Sequence, residues 1–164
     1  MSWTAALRVG IAFTILVLLH FTVRPILNLG RAELDFLIVA LLLMAVRVRP
    51  GTAALIGLLM GLAADSVTPV AFGAAALGMT VVGFGASWLK AVFFADNLAL
   101  NGFFFFLGKW VFDIIRMLAE RQVAGVELLM QAILWAPISA ALTAAVGVML
   151  LAMLRPLLME TTAT

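Results

Sequence analysis

Three charges stand inside one apolar run, NGFFFFLGKWVFDIIR. Lys109, Asp113 and Arg116 follow one another at spacings of four and three residues, so a helix places them on one face. Lys109 sits about halfway along the run, and a charge at that depth in lipid must face protein or a partner charge. Lys109 and Asp113 are spaced to pair, and Arg116 is placed to snorkel toward an interface. Two roles fit: a self-neutralised structural cluster, or a polar site between helices that contacts another membrane protein. A further carboxylate closes the stretch GLLMGLAAD, Gly57 to Asp65. The C-terminal end of a helix is the wrong end for a negative charge. Asp65 therefore caps the start of the next segment, shapes the turn before Ser66 and Pro69, meets a cation, or does chemistry.

Catalysis finds little support. His20 is the only histidine and cysteine is absent, so neither a histidine cluster nor a thiolate site exists to hold zinc. His20 lies in LVLLHFTV and reads as a packing residue. Glu33 and Asp35 are two apart, a helix start more than an acid–base couple, and the other carboxylates are dispersed. No GxxxxGK[ST] phosphate cradle occurs. The expectation is a chain with no catalytic residues, no metal and no cofactor.

These residues must be held by apolar elements. Of 164 residues, 66% are hydrophobic and 11% charged, against about 25% charged in ordinary globular chains. A soluble fold of this size cannot hide that much apolar surface, so residues 1–164 read as a single integral membrane domain. The net charge of +2 and its scattered positions give no basic track for nucleic acid. Tyrosine is absent, which leaves interfacial anchoring to Trp3, Trp88, Trp110, Trp135 and phenylalanines. Runs such as LIVALLLMAV lack the alternation of a β-barrel strand, and helices pair their own backbone groups in lipid.

Six segments follow from hydropathy and breakers: Thr4 to Val23, Leu34 to Val46, Thr52 to Ala64, Val70 to Leu89, Leu98 to Leu118, and Val126 to Leu154, the last bent near Pro137. The first ends at Arg24-Pro25 without a small-residue cleavage pattern and reads as a retained span. A basic turn, Arg47 to Gly51, joins the second and third. Each of those two holds about 13 residues, roughly 20 Å of helix against a hydrocarbon core of ~30 Å. They are either spans with ragged ends or a tilted, re-entrant pair. With the N-terminus in the cytoplasm, Arg8, Arg47, Arg49, Lys90 and Arg155 lie inside, and Arg24, Arg31, Arg116 and Arg121 toward the outside. The fold expected is all-α: a polytopic transmembrane bundle of about six spans.

Small residues suggest how the helices meet. Ala53, Gly57 and Gly61 form one stripe that Asp65 extends, and the fourth segment offers Gly73, Ala74, Gly78 and Gly85. Four-residue spacing of small side chains lets backbones approach in lipid. Phe103 to Phe106 covers every side of one turn and must touch lipid or a partner.

From Arg31 to Phe84 the chain resembles the bacterial rod shape-determining membrane protein family MreD. The resemblance lies in the acidic-aromatic start Glu33 to Phe36, the basic turn Arg47 to Gly51, the Gly57 to Asp65 stretch with its G-x-x-x-G-L-x-x-D form, and Phe72 to Leu77. Length and span number agree, while nothing specific matches beyond the fourth segment. The resemblance implies a fold like the S component of energy-coupling factor transporters. It implies a non-enzymatic part of the cell-elongation and peptidoglycan-synthesis machinery in the inner membrane, surrounded by lipid. The implied direct partner is an MreC-like bitopic protein, linked through it to MreB, RodA and a class B penicillin-binding protein. The competing expectation is a subunit that binds a vitamin-like small molecule for a transporter.

Overall fold

The computed structural model describes residues 3–23, 33–67, 71–93, 97–120 and 125–159, with the side chains of 3–9, 12, 23, 91–93 and 154–159 left aside. The first loop at Arg24, Pro25, Asn28 and Arg31, together with Pro69, Val70, Arg121 and Thr164, lies outside the described residues. So do the side chains of Trp3, Arg8 and Arg155. The chain forms an all-α bundle of six helical rods: α1 (Trp3–Val23), α2 (Phe36–Ala45), α3 (Pro50–Asp65), α4 (Ala74–Phe93), α5 (Leu98–Glu120), and a last rod of α6 (Val126–Met130), a π-helical turn (Gln131–Trp135) and α7 (Ala136–Met159).

Helix α2 is the axis of the bundle. It is apolar on every side, and nine of its ten residues are buried. It touches α1, α3, α4, α5 and α7. Asp35 starts it by accepting from the Leu37 and Ile38 N–H groups at 3.1 and 3.3 Å. After the turn that follows α2, Pro50 holds Arg49 in an extended conformation (φ −74°, ψ 154°). Pro50 then opens α3 at a position where its missing N–H costs nothing. Pro50 and Gly51 thus belong to α3, and the expected basic turn shrinks to residues 46–49. Ser87 and Lys90 of α4 both donate to the Val48 carbonyl, at 2.7 and 3.1 Å, and tie that turn to the bundle.

Helices α3 and α4 pack against each other most closely. A Cβ on Gly57 would lie 2.2 Å from the Met79 carbonyl oxygen, and one on Gly61 2.3 Å from Ala76 Cα. Both obstacles are backbone, so only hydrogen fits. On α4 the matching position is Gly83, whose Cβ would meet the Ala53 carbonyl at 2.6 Å. Gly78 faces the other way, toward the Phe112 ring of α5. Gly73 and Gly85 do not contribute to helix packing, because nothing lies within 4 Å of where their Cβ atoms would be. Gly73 instead takes φ +98° in the turn before α4, a conformation that favours glycine.

The last rod carries its irregularity where Pro137 demands one. The Ala136 N–H bonds to Gln131 across a π-type step, and Pro137 has no N–H to offer the next carbonyl, Ala132. Trp110 Nε1 of α5 donates to that Ala132 oxygen at 3.3 Å and replaces the lost donor. Two rods, Leu98–Glu120 and Val126–Met153, are long and apolar enough to cross a membrane by length and composition.

Candidate functional site

Asp65 stands at the C-terminal end of α3 because it serves the helix that follows. The chain turns back directly after α3, so the same side chain meets the N-terminus of α4, where the helix dipole favours negative charge. Its Oδ2 accepts from Gly73 N–H and Ala76 N–H at 3.0 Å each, and its Oδ1 from Ala75 N–H at 3.1 Å. Only 3% exposed, Asp65 is a structural hinge pin between two helices.

The other buried carboxylates converge on Lys109. Its side chain is fully buried. Lys109 Nζ donates to Asp113 Oδ1 at 2.6 Å on its own helix and stands 3.7 Å from Asp35 Oδ2 at the start of α2. It also lies 5.1 Å from the centre of the Phe112 ring, a cation–π contact. His20, in the last turn of α1, brings Nδ1 to 3.2 Å from Asp35 Oδ1. The α7 hydroxyls extend the network to a fourth rod: Asp35 N–H donates to Thr143 Oγ1 at 3.4 Å and Glu33 N–H to Ser139 Oγ at 3.1 Å. Arg116 forms the rim, donating to Glu120 at 2.6 Å and to Glu33 at 3.2 Å.

The four helices α1, α2, α5 and α7 are therefore joined by one polar seam within an apolar bundle. Lys109, Asp113 and Arg116 share a helix face, but Arg116 is held by two glutamates rather than snorkelling alone. Beside Ser139, Thr143 and Glu120, three acidic or basic members have roles that spacing did not reveal. His20 is a partner of Asp35 and not merely a packing residue; Asp35 is both cap and ion-pair partner; Glu33 reaches Arg116 across the bundle. The signal available for Asp35 was a capping residue directly before an apolar run. For His20 it was a polar side chain one turn from a helix end.

Chemically, the seam fixes helix register and holds charge; its members bond to one another. Among the described residues no group of His, Cys, Asp and Glu is arranged to hold a metal ion. A separate cavity of about 170 Å³ opens between α4 and α5, lined by Leu42, Val82, Ala86, Phe104, Gly108 and Val111 among others. Its lining side chains are apolar.

The class defined by fold and seam is an all-α bundle with a charged interior. Comparison with protein-family models, with curated proteins and with solved structures finds no match for this chain.

Proposed function

We propose that this chain is a multi-pass inner-membrane component of the bacterial cell-elongation machinery, which binds and positions an MreC-like partner and performs no chemistry itself. The observation that carries the membrane part is an inverted distribution of polarity. Lys109, Asp35, Asp65 and Asp113 are at most 7% exposed, whereas Trp88 is 71%, Leu59 67%, Phe72 65% and Leu55 62% exposed. In water such a surface would be a severe liability; against acyl chains it is the favourable solvent contact. The burial of nine of the ten α2 residues supports reading that short helix as a central element sheathed by the other helices.

The elongation part rests on the resemblance to the MreD family over Arg31 to Phe84. Its stretches correspond here to working parts: the α2 cap, the α2–α3 turn, the Gly57–Gly61 contact and the Asp65 pin. The outward aromatic and aliphatic side chains and the α4–α5 groove supply apolar surface for a partner's span. Through that partner the chain would be linked to MreB, RodA and a class B penicillin-binding protein.

The transporter alternative requires polar groups converging on a ligand pocket. The α4–α5 cavity has only apolar lining side chains and is not such a pocket. Co-expression with a tagged MreC homologue from the same genome tests the choice, alongside mass spectrometry of the purified chain for retained vitamins. Stoichiometric co-purification without a small molecule is the expected result. A tightly held vitamin with no MreC homologue recovered would overturn it.

A further inference from the structure

We propose that the α4–α5 groove and the basic α2–α3 turn together bind one anionic phospholipid, with an acyl chain in the groove and the headgroup phosphate on Arg47, Arg49 and Lys90. The inference rests on the membrane part of the reading above and not on its elongation part.

Uncompensated positive charge defines the headgroup end. Arg47 and Arg49 flank Val48 in the turn. Lys90 of α4 donates to the Val48 carbonyl at 3.1 Å, which brings its ammonium to the same turn. Three cations thus meet around three residues of backbone. None pairs with a described carboxylate: the described ion pairs all belong to the seam and its rim. Asp65 is engaged by α4 at the far end of α3. One carbonyl takes only one of the three donors of Lys90, and both guanidinium forks are available to an anion. Trp88 is 71% exposed two residues before Lys90. An outward tryptophan beside cations fits the level of the membrane interface, where lipid phosphates lie.

The groove defines the chain end. Val81, Gly85 and Leu89 line its α4 wall at four-residue spacing, about 12 Å of helix that stops one residue short of Lys90. Ala86, also on that wall, stands one turn before Lys90 on the same face. The groove therefore runs from the level of the cations into the apolar depth, as an acyl chain does beneath its phosphate. A missing side chain gives it room: nothing lies within 4 Å of a Cβ on Gly85. Gly85 has no packing contact to explain it, and as a groove wall it leaves space for a chain. Helices α4 and α5 touch each other, so a partner helix about 10–12 Å across cannot enter between them. An unbranched acyl chain can. The cations at the mouth then favour an anionic lipid over a zwitterionic one.

Native mass spectrometry of the purified full-length chain in a neutral detergent counts bound lipids directly. Phosphatidylglycerol and phosphatidylcholine with identical acyl chains are offered together. The expected result is one retained phosphatidylglycerol per chain, preferred at least about fivefold, with Arg47→Gln/Arg49→Gln losing most of that preference. Gly85→Leu and, at an exposed position of the same wall, Val81→Phe place side chains in the groove. Each should lower retention several-fold at unchanged thermal stability. Retention of both lipids without preference overturns the site and leaves the membrane reading standing. A chain that stays monodisperse without detergent and retains no lipid overturns both. Unchanged retention in a folded groove variant overturns the proposal, as does displacement by inorganic phosphate, which would leave an anion site without a chain. Loss of the lipid from a complex with a copurified MreC homologue would give the groove to the partner's span and overturn it as well.

Discussion

Gly61 allows the closest test of how α3 and α4 are fitted together. Alanine at this position adds one methyl group, 2.3 Å from Ala76 Cα, 2.5 Å from Ala76 N and 2.6 Å from the Ala75 carbonyl oxygen. Ordinary van der Waals contact begins at 3.4 Å, so the helices must separate locally by about 1 Å. No side chain can rotate away, because all three obstacles are backbone. Overpacking of this kind costs about 1–3 kcal/mol. The displaced residue is also one that donates to Asp65, at 3.0 Å. An outward shift of about 1 Å takes that bond beyond useful length and adds the loss of part of a helix cap, about 1 kcal/mol. Against this, alanine gains up to about 1 kcal/mol over glycine in helix propensity. Gly85→Ala carries the same gain with nothing within 4 Å of the new methyl. Thermal unfolding in one detergent should place Gly61→Ala about 2–4 kcal/mol below Gly85→Ala, with Gly61→Leu lower still and poorly accumulated in membranes. Equal stability of the two alanine variants would refute the close approach of the backbones.

Asp65→Ala should lose all three bonds to the start of α4 and fall by about 2 kcal/mol or more in unfolding assays. Because both carboxylate oxygens accept, Asp65→Asn keeps one acceptor and should lie between Ala and the native chain; native stability of Asp65→Ala would contradict the cap. Lys109→Met leaves Asp35 and Asp113 without their shared cation and should cost about 3–5 kcal/mol, partly recovered in Lys109→Met/Asp113→Leu; a single variant of native stability would contradict the buried pair. Reporter fusions after Arg49 and after Thr164 should both give cytoplasmic activity, and periplasmic activity at Thr164 would contradict an even number of crossings.

The rods were legible because apolar runs and their breakers are local signals. Pro50 opens α3, Asp35 opens α2, and Pro137 follows the π turn, each for a reason confined to neighbouring atoms. The capping role of Asp65 was among the alternatives weighed for the same reason. The faces of the helices were less legible. An apolar helix surrounded by protein, such as α2, has no polar side to mark its rotation, and α4 presents glycine to α3 at Gly83 but to α5 at Gly78. Spacing alone therefore admitted Gly73 and Gly85 as contacts and passed over Gly83. The seam was half legible: Lys109 and Asp113 lie within one turn, whereas His20 and Asp35 meet only through the packing of α1 on α2.

An apolar exterior in contact with lipid is the claim on which the rest depends, and a cysteine-free chain makes it measurable. A nitroxide on Leu59→Cys, on the exposed side of α3, is compared in lipid vesicles with one on Arg47→Cys in the α2–α3 turn, another exposed position. Collision with dissolved oxygen reports acyl chains, and collision with a water-soluble nickel chelate reports water. The Leu59 position should be open to oxygen and shielded from nickel, with the reverse at Arg47. Free access of nickel to Leu59 would contradict it.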